Sequence, residues 1–308
     1  MDATDIRLSQ MLLLNSRQPY QELAGKLGLS VQAVHRRIQE MMRCGVIAGF
    51  NARLSYRHLG AINVGFSGFS GETSLEKVVE NVSRNDSTQV IIAASGNFLV
   101  VSTILHGLSE TEAYTDFLRN AAAMPAPGIG MVGTMQYGTG VMEFHGKTVE
   151  LGSLDYRIVQ ALHTDSRKSI ADVSAEVGIS AKTVKRHLEA MDSMGVIEYS
   201  IDWHPGQSDG IVGFIWIRLK PGTDRSAFRS GLARTFGARM IFISSFSNDP
   251  VRLLCFTWSS NGRTFSDMCE SLSKDTGVEK VTSFYAQKGY VFETWRDKLL
   301  AERAKAAR

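Results

Sequence analysis

Leu23-Ala24-Gly25-Lys26-Leu27-Gly28-Leu29-Ser30-Val31-Gln32-Ala33-Val34-His35-Arg36-Arg37-Ile38 is the stretch that decides how this chain folds. Ala24, a small residue, stands four positions before Gly28, and Val34 six positions after it. A small residue inside one helix lets the next cross closely, and the glycine supplies the backbone freedom of the turn between them. Ser30 is suited to cap the second helix. Leu23, Leu27, Leu29, Val34 and Ile38 close a small core around the crossing. This is the spacing of a helix-turn-helix. Working outward, 4–14 has helical periodicity, 15–19 breaks it with Pro19 at a helix start, and 20–27 and 31–44 are the crossing helices, ended by Gly45.

The whole arrangement occurs twice. Shifted by 150 positions, Asp5-Ile6-Arg7-Leu8 meets Asp155-Tyr156-Arg157-Ile158, and Asn15-Ser16-Arg17 meets Asp165-Ser166-Arg167. Leu27-Gly28-Leu29-Ser30 meets Val177-Gly178-Ile179-Ser180, and Gly45-Val46-Ile47 meets Gly195-Val196-Ile197. About 14 of about 43 positions are identical without a gap. The chain is read as a tandem duplication whose unit is domain-sized and therefore no solenoid. The second trio of helices is expected at 154–163, 169–177 and 181–194.

Behind each trio the texture changes to β-α-β-β-α-β, the ferredoxin-like order. In the first unit the segments are 61–69, 73–84, 88–94, 97–105, 109–123 and 129–142. In the second they are 211–219, 224–236, 239–246, 251–259, 262–273 and 278–285. A last helix at about 292–306 has no counterpart in the first unit, and its tail, 301–308, reads as a frayed end. The expected fold class is α+β, two tandem units, each a winged-helix-like helix-turn-helix domain followed by a ferredoxin-like domain. The expected divisions are 1–52, 58–143, 151–203 and 209–308, with 143–153 linking the units.

The polar face of each third helix points to a function. Its apolar anchors Val34, Ile38 and Met41 leave basic and amide side chains facing outward, with few acids among them. Such side chains near a helix N-terminus suit phosphate and base-edge contacts. The residues assigned to DNA are Ser30, Gln32, His35, Arg36, Arg37 and Arg43, and in the copy Ser180, Lys182, Thr183, Lys185, Arg186 and His187. The divergence of Gln32 from Lys182 implies either two unlike half-sites for one chain or one copy that only grips the DNA backbone.

With these residues the sequence resembles the Lrp/AsnC, or feast/famine, family of transcriptional regulators. The resemblance rests on the opening Asp5-Ile6-Arg7-Leu8 and its copy, the Leu27–Ser30 turn, Val34 to Arg37, and the exit Gly45-Val46-Ile47-Ala48-Gly49-Phe50. It covers nearly the whole chain twice, so the chain looks like a fused dimer whose sheet domains pair. What it implies is transcriptional regulation by DNA binding, a small-molecule effector such as an amino acid, and assembly into a homo-oligomer, a dimer of chains or larger. The implied effector site lies at the middle-strand turns, Gly96, Asn97, Phe98 and Asn248, Asp249, whose backbone amides could grip a small carboxylate. Here the chain departs from the family's Gly-x-Tyr-Asp-type turn.

The remaining features argue by exclusion. Lys and Arg number 34 against 31 Asp and Glu, a net charge of +3, too small to identify a nucleic-acid partner without its distribution. Cys44, Cys255 and Cys269 form no pair spaced for a disulfide framework or zinc. No signal peptide opens the sequence and no apolar run spans a bilayer, so a cytoplasmic protein without membrane contact is expected. Gly128-Ile129-Gly130-Met131-Val132-Gly133 matches a phosphate-loop pattern by letter, yet leads into a strand and not a helix. Trp203, Trp216, Trp258 and Trp295 read as core or interface. Siroheme decarboxylases share the two-part fold and form the rival, catalytic reading. For it, His204 and His58 are the best tetrapyrrole ligands among His35, His58, His106, His145, His163, His187 and His204. No metal site, cofactor or catalytic residue is read from the spacing, and the expectation is a protein that is not an enzyme.

Overall fold

Asp2 starts the first helix. Its carboxylate accepts from the Thr4 and Asp5 backbone N–H groups while Asp5 accepts from the Asp2 N–H, a reciprocal cap. The computed structural model describes residues 1–138, 140–141 and 149–306. His145, Ala307, Arg308 and most of the expected 143–153 linker lie outside the described residues. The first unit runs α1 (Ala3–Leu14), α2 (Tyr20–Leu27), α3 (Val31–Arg43) and β1 (Ile47–Leu54). It continues through β2 (Ile62–Phe69), α4 (Leu75–Ser83), β3 (Thr88–Ala94), β4 (Phe98–Leu105), α5 (Glu110–Ala121), β5 (Gly128–Tyr137) and the short β6 (Gly140–Val141). The second unit runs α6 (Ser153–Leu162), α7 (Ile170–Val177), α8 (Ala181–Ser193), β7 (Ile197–Trp203), β8 (Ile211–Leu219), α9 (Arg225–Phe236), β9 (Met240–Phe246), β10 (Arg252–Ser259), α10 (Gly262–Ser273), β11 (Val278–Val291) and α11 (Trp295–Ala306). The fold is α+β with two repeated units.

Strands β1 and β7 form an antiparallel ribbon between the units, with Phe50 opposite Ile201 and Asn51 opposite Ser200. The ribbon feeds both helix-turn-helix cores reciprocally. Ile201 of β7 packs with Leu12, Val34 and Ile38 of the first. Ala52 and Leu54 of β1 pack with Ile158, Val184 and Leu188 of the second. Burial of a Leu or Ile side chain such as Leu54 or Ile201 contributes about 1.5–3 kcal/mol, so neither core is complete without a strand from the other unit. The sequence reading had no strand here. Ile47-Ala48-Gly49-Phe50-Asn51-Ala52-Arg53-Leu54 lacks clean alternation because the ribbon is covered on both faces, and its partner lies some 150 residues away.

The sheet halves exchange their last strands. β5 pairs with β2 over Gly128–Met131, then crosses to β9 of the other half, with Val132 opposite Phe246. β11 pairs with β8 as far as Tyr285, then crosses to β3, with Ala286 opposite Ala94 and Val291 opposite Val90. The order β2-β4-β3-β11-β8-β10-β9-β5 thus closes on itself through the β2–β5 pairing, an eight-stranded ring. The sheet domains pair within the chain. Periodicity ended the last strand at Tyr285; it continues to Val291 because that polar, glycine-containing end is held by the other unit's edge.

Helices cover the ring outside, α4 and α5 over Val64, Phe66, Ile91 and Val101, and α9 and α10 over Ile215, Ile217, Ile243 and Leu253. The opposite faces look inward. On β5, a Cβ added to Gly130 would sit 2.4 Å from the Phe246 ring. Gly130 therefore serves a close packing contact where the halves join.

Candidate nucleic-acid interface and inner cavity

Two regions of this fold gather candidate functional side chains: the third helices of the helix-turn-helix units and the inside of the ring. Gly28 and Gly178 take the left-handed conformation, with φ of 67° and 75°, which turns the chain into α3 and α8. Ser30 and Ser180 then accept from the Ala33 and Thr183 N–H groups, so both serines act as N-caps. Val34, Ile38 and Met41 are buried, as are Val184, Leu188 and Met191, which leaves Gln32, His35 and Arg36, and Lys182, Lys185 and Arg186, exposed.

Other residues assigned to DNA from sequence are engaged within the protein. Arg37 pairs with Asp2 at 2.9 Å and Asp5 at 2.7 Å, and His187 meets Asp155 at 2.6 Å. These are equivalent contacts in the two copies, and each ties a third helix back to its first. Burial opposes ionisation of Asp2, yet the Asp5 amide and Arg37 outweigh it and hold the Asp2 carboxyl below its ordinary value. Arg43 pairs with Glu40 at 2.6 Å, a hydrogen bond that draws the Glu40 carboxyl down to about 2. The Thr183 hydroxyl lies 2.9 Å from that of Ser180.

The two helix-turn-helix units are clasped together. Ser16 Oγ and Ser166 Oγ are 2.6 Å apart and fully buried. Arg17 donates to the Ser166 and Lys168 carbonyls, and Arg167 to those of Ser16 and Gln18. The Arg167 guanidinium lies 4.2 Å from the Tyr20 ring centre.

Inside the ring is a cavity of 840 Å³, bounded on one side by the β1–β7 ribbon. The two halves of the ring line it differently. The first half contributes Asn63, Gly65, Val100 and Ser102; the second contributes Phe214, Trp216, Phe242 and Phe256. The second half's share of the wall is the more aromatic. The ribbon and its neighbours bring Arg17, Arg53, Arg57, Lys288 and Arg296 against Asp192, Glu198 and Asp202, an excess of cations at the cavity. Arg53 lies 3.3 Å from Asp297 and 3.9 Å from Asp202. Arg296 binds Glu198 at 3.0 Å and the Leu54 carbonyl at 3.1 Å. Arg57 donates to the Tyr56 hydroxyl and the Gly133 carbonyl.

The turns expected to hold an effector lie elsewhere. Gly96, Asn97, Phe98, Asn248 and Asp249 do not line the cavity. Phe98 stacks on Phe284 at 3.9 Å, Asn248 bridges to the Met131 N–H and Ile129 carbonyl, and Asp249 pairs with Arg218 and Arg252. Of the two histidines singled out for a tetrapyrrole, His204 lines the cavity and His58 is buried outside it. Trp203 and Trp216 line it too, while Trp258 belongs to the core beside it. Sequence reasoning missed the cavity, because its lining comes from both units. The alternation of Val212, Phe214 and Trp216 on the inward face of β8 was the signal available.

The winged helix-turn-helix DNA-binding family matches residues 1–48 and 152–198, the two clasped units. The proline dehydrogenase transcriptional activator of Rhodobacter capsulatus is 47% identical over 64 residues, 21% of this chain and 42% of that protein. The regulator LrpA of Pyrococcus horikoshii is 27% identical over 105 residues, 34% of this chain and 74% of that one. The regulatory protein AsnC of Haemophilus influenzae is 26% identical over 113 residues, 36% and 75%. The chain is thus similar to Lrp and AsnC regulators over part of its length, and the matched helix-turn-helix unit occurs in it twice. Among solved structures, the siroheme decarboxylase NirDL aligns over 99% of both chains with a TM-score of 0.60 at 12% identity. That likeness shows that this duplicated two-part fold is shared by an enzyme, so the expectation that the chain is not an enzyme does not stand. That expectation rested on the two basic third helices and on the lack of a catalytic spacing in the sequence, and neither excludes catalysis on this fold. No described helix of this chain is long and apolar enough to cross a membrane.

Proposed function

We propose that the chain is a sequence-specific DNA-binding transcriptional regulator whose inner cavity holds a small-molecule effector. The observation that carries this reading is the pair of exposed basic helix faces, Gln32, His35 and Arg36 in one copy and Lys182, Lys185 and Arg186 in the other. Each unit is anchored to the ring at a different place. Gln10 of α1 donates to the Met240 and Ile241 carbonyls at the start of β9, whereas α11 packs on α6. An effector in the cavity would touch the ribbon that feeds both helix-turn-helix cores, which gives it a route to their arrangement. The reading includes a dimer of chains or larger. Selection of bound DNA from a random pool, with and without cell metabolites, tests it. Two unlike half-sites should emerge, and Gln32→Lys should change the preference in one only. A pool that stays random under selection refutes DNA reading.

A second reading is favoured by the whole-length likeness to NirDL, one structure of which is a co-complex with an iron-uroporphyrin III analogue. In this reading the cavity takes a tetrapyrrole substrate, with Phe214, Trp216 and Phe256 against its face, arginines toward its carboxylates, and His204 at its rim. Incubation with siroheme, followed by bound absorbance and carbon dioxide release, separates catalysis from effector binding.

A further inference from the structure

Arg296 is 1% exposed, the largest fully buried side chain among the described residues, and it lines the cavity. One nitrogen, Nη1, serves both Glu198 and the Leu54 carbonyl. Its Nε and Nη2 have no hydrogen-bond partner among the described residues. A buried guanidinium that leaves two donor groups unmet carries a desolvation cost that an acceptor arriving in the cavity would remove. The nearby Arg53 is mostly buried, and its Nε likewise has no well-formed hydrogen bond despite Asp297 at 3.3 Å. The guanidinium fork matches a carboxylate, since two parallel N–H groups meet two oxygens. The same cavity is lined by the rings of Phe214, Trp216 and Phe256.

We infer that Arg296, supported by Arg53, is a carboxylate-binding subsite of the cavity, and that its ligand carries an aromatic or flat apolar body with a carboxylate at this end. The inference deepens the ligand part of the proposed function and rests on the cavity being a binding site. It does not depend on DNA binding. Glu198 acts as the occupant that a ligand carboxylate competes with for Arg296. The subsite belongs to the second unit, because Arg296 sits on α11, the helix for which the first unit's sequence has no counterpart.

The test uses two fluorescent probes with the same aromatic body, 1-pyrenebutyrate and 1-pyrenebutanol, titrated into the full chain. Wild type should bind the carboxylate about tenfold or more tightly than the alcohol. Arg296→Met should abolish the difference and leave the alcohol's affinity unchanged. Glu198→Gln removes the competing carboxylate and should tighten pyrenebutyrate alone. If Arg296→Met does not fold, Glu198→Gln decides, and unchanged or weaker pyrenebutyrate binding by it overturns the subsite. Equal affinity of wild type for both probes, or discrimination intact in Arg296→Met, does the same. Binding of neither probe refutes the cavity as a ligand site, and the subsite with it.

Discussion

Ser16 and Ser166, 150 residues apart in the chain, bring their hydroxyl oxygens to 2.6 Å in the buried contact between the helix-turn-helix units. They occupy equivalent positions of the repeat, so the contact lies on the local two-fold relation between the copies. One hydroxyl donates and the other accepts.

Removing either hydroxyl therefore leaves a buried partner unmet. Ser16→Ala or Ser166→Ala should cost about 1–3 kcal/mol in urea unfolding. The double substitution should cost less than the sum, with a coupling of roughly 0.5–3 kcal/mol. Strictly additive losses would show that the pair does not act as a unit.

Neighbouring arginines on α3 should behave in opposite ways. Arg36→Ala, and Arg186→Ala in the copy, should weaken specific DNA binding by about 1–3 kcal/mol each while leaving the melting temperature unchanged. Arg37→Ala should instead lower the melting temperature, because Arg37 holds α3 to Asp2 and Asp5. Thermal denaturation and a DNA titration on the same three variants check both halves.

The Asp2 carboxyl gives that clasp a pH dependence. Its folded value lies below the ordinary 3.8, so its stabilisation is complete above that value and disappears as pH falls through the lowered one. The melting-temperature gap between wild type and Arg37→Met should stay level from neutral pH to about 5 and narrow below about 4. A gap that widens on acidification would contradict the assigned direction.

Where the halves join, space rather than charge decides. Gly130→Val places a side chain on the Phe246 ring and should destabilise the fold by about 1–3 kcal/mol. Adding Phe246→Leu should recover part of the loss. Differential scanning calorimetry of the single and double variants measures it.

The helix-turn-helix units were legible because their determinants are local: Gly28, Ser30 and the spacing of Leu23, Val34 and Ile38 act within some 20 residues. The β-α-β-β-α-β order was legible for the same reason. The ribbon and the ring were not, since β1 finds β7 and β3 finds the end of β11 only after distant segments meet. The third helices showed their basic character in sequence. That Arg37 faces inward to Asp5 was not visible, although the recurrence of an acid at Asp155 opposite His187 carries the same pairing in the copy. Arg296 could not be singled out among the cations of the chain until β11 had carried α11 to the β1–β7 ribbon.

That crossing also sets a timetable for synthesis. β3 ends at Ala94, but the strand that covers its edge ends at Val291, so nearly 200 further residues must be made before the edge is sealed. At a ribosomal rate of 5–20 residues per second the delay is roughly 10–40 s. For that interval the nascent first half presents an open β edge, Thr88-Gln89-Val90-Ile91-Ile92-Ala93-Ala94, with an apolar stretch suited to pairing with any other exposed strand. The burden of keeping it apart from its neighbours falls on chaperones in the cell, and slow translation should raise the yield lost to aggregation before it alters anything in the finished molecule.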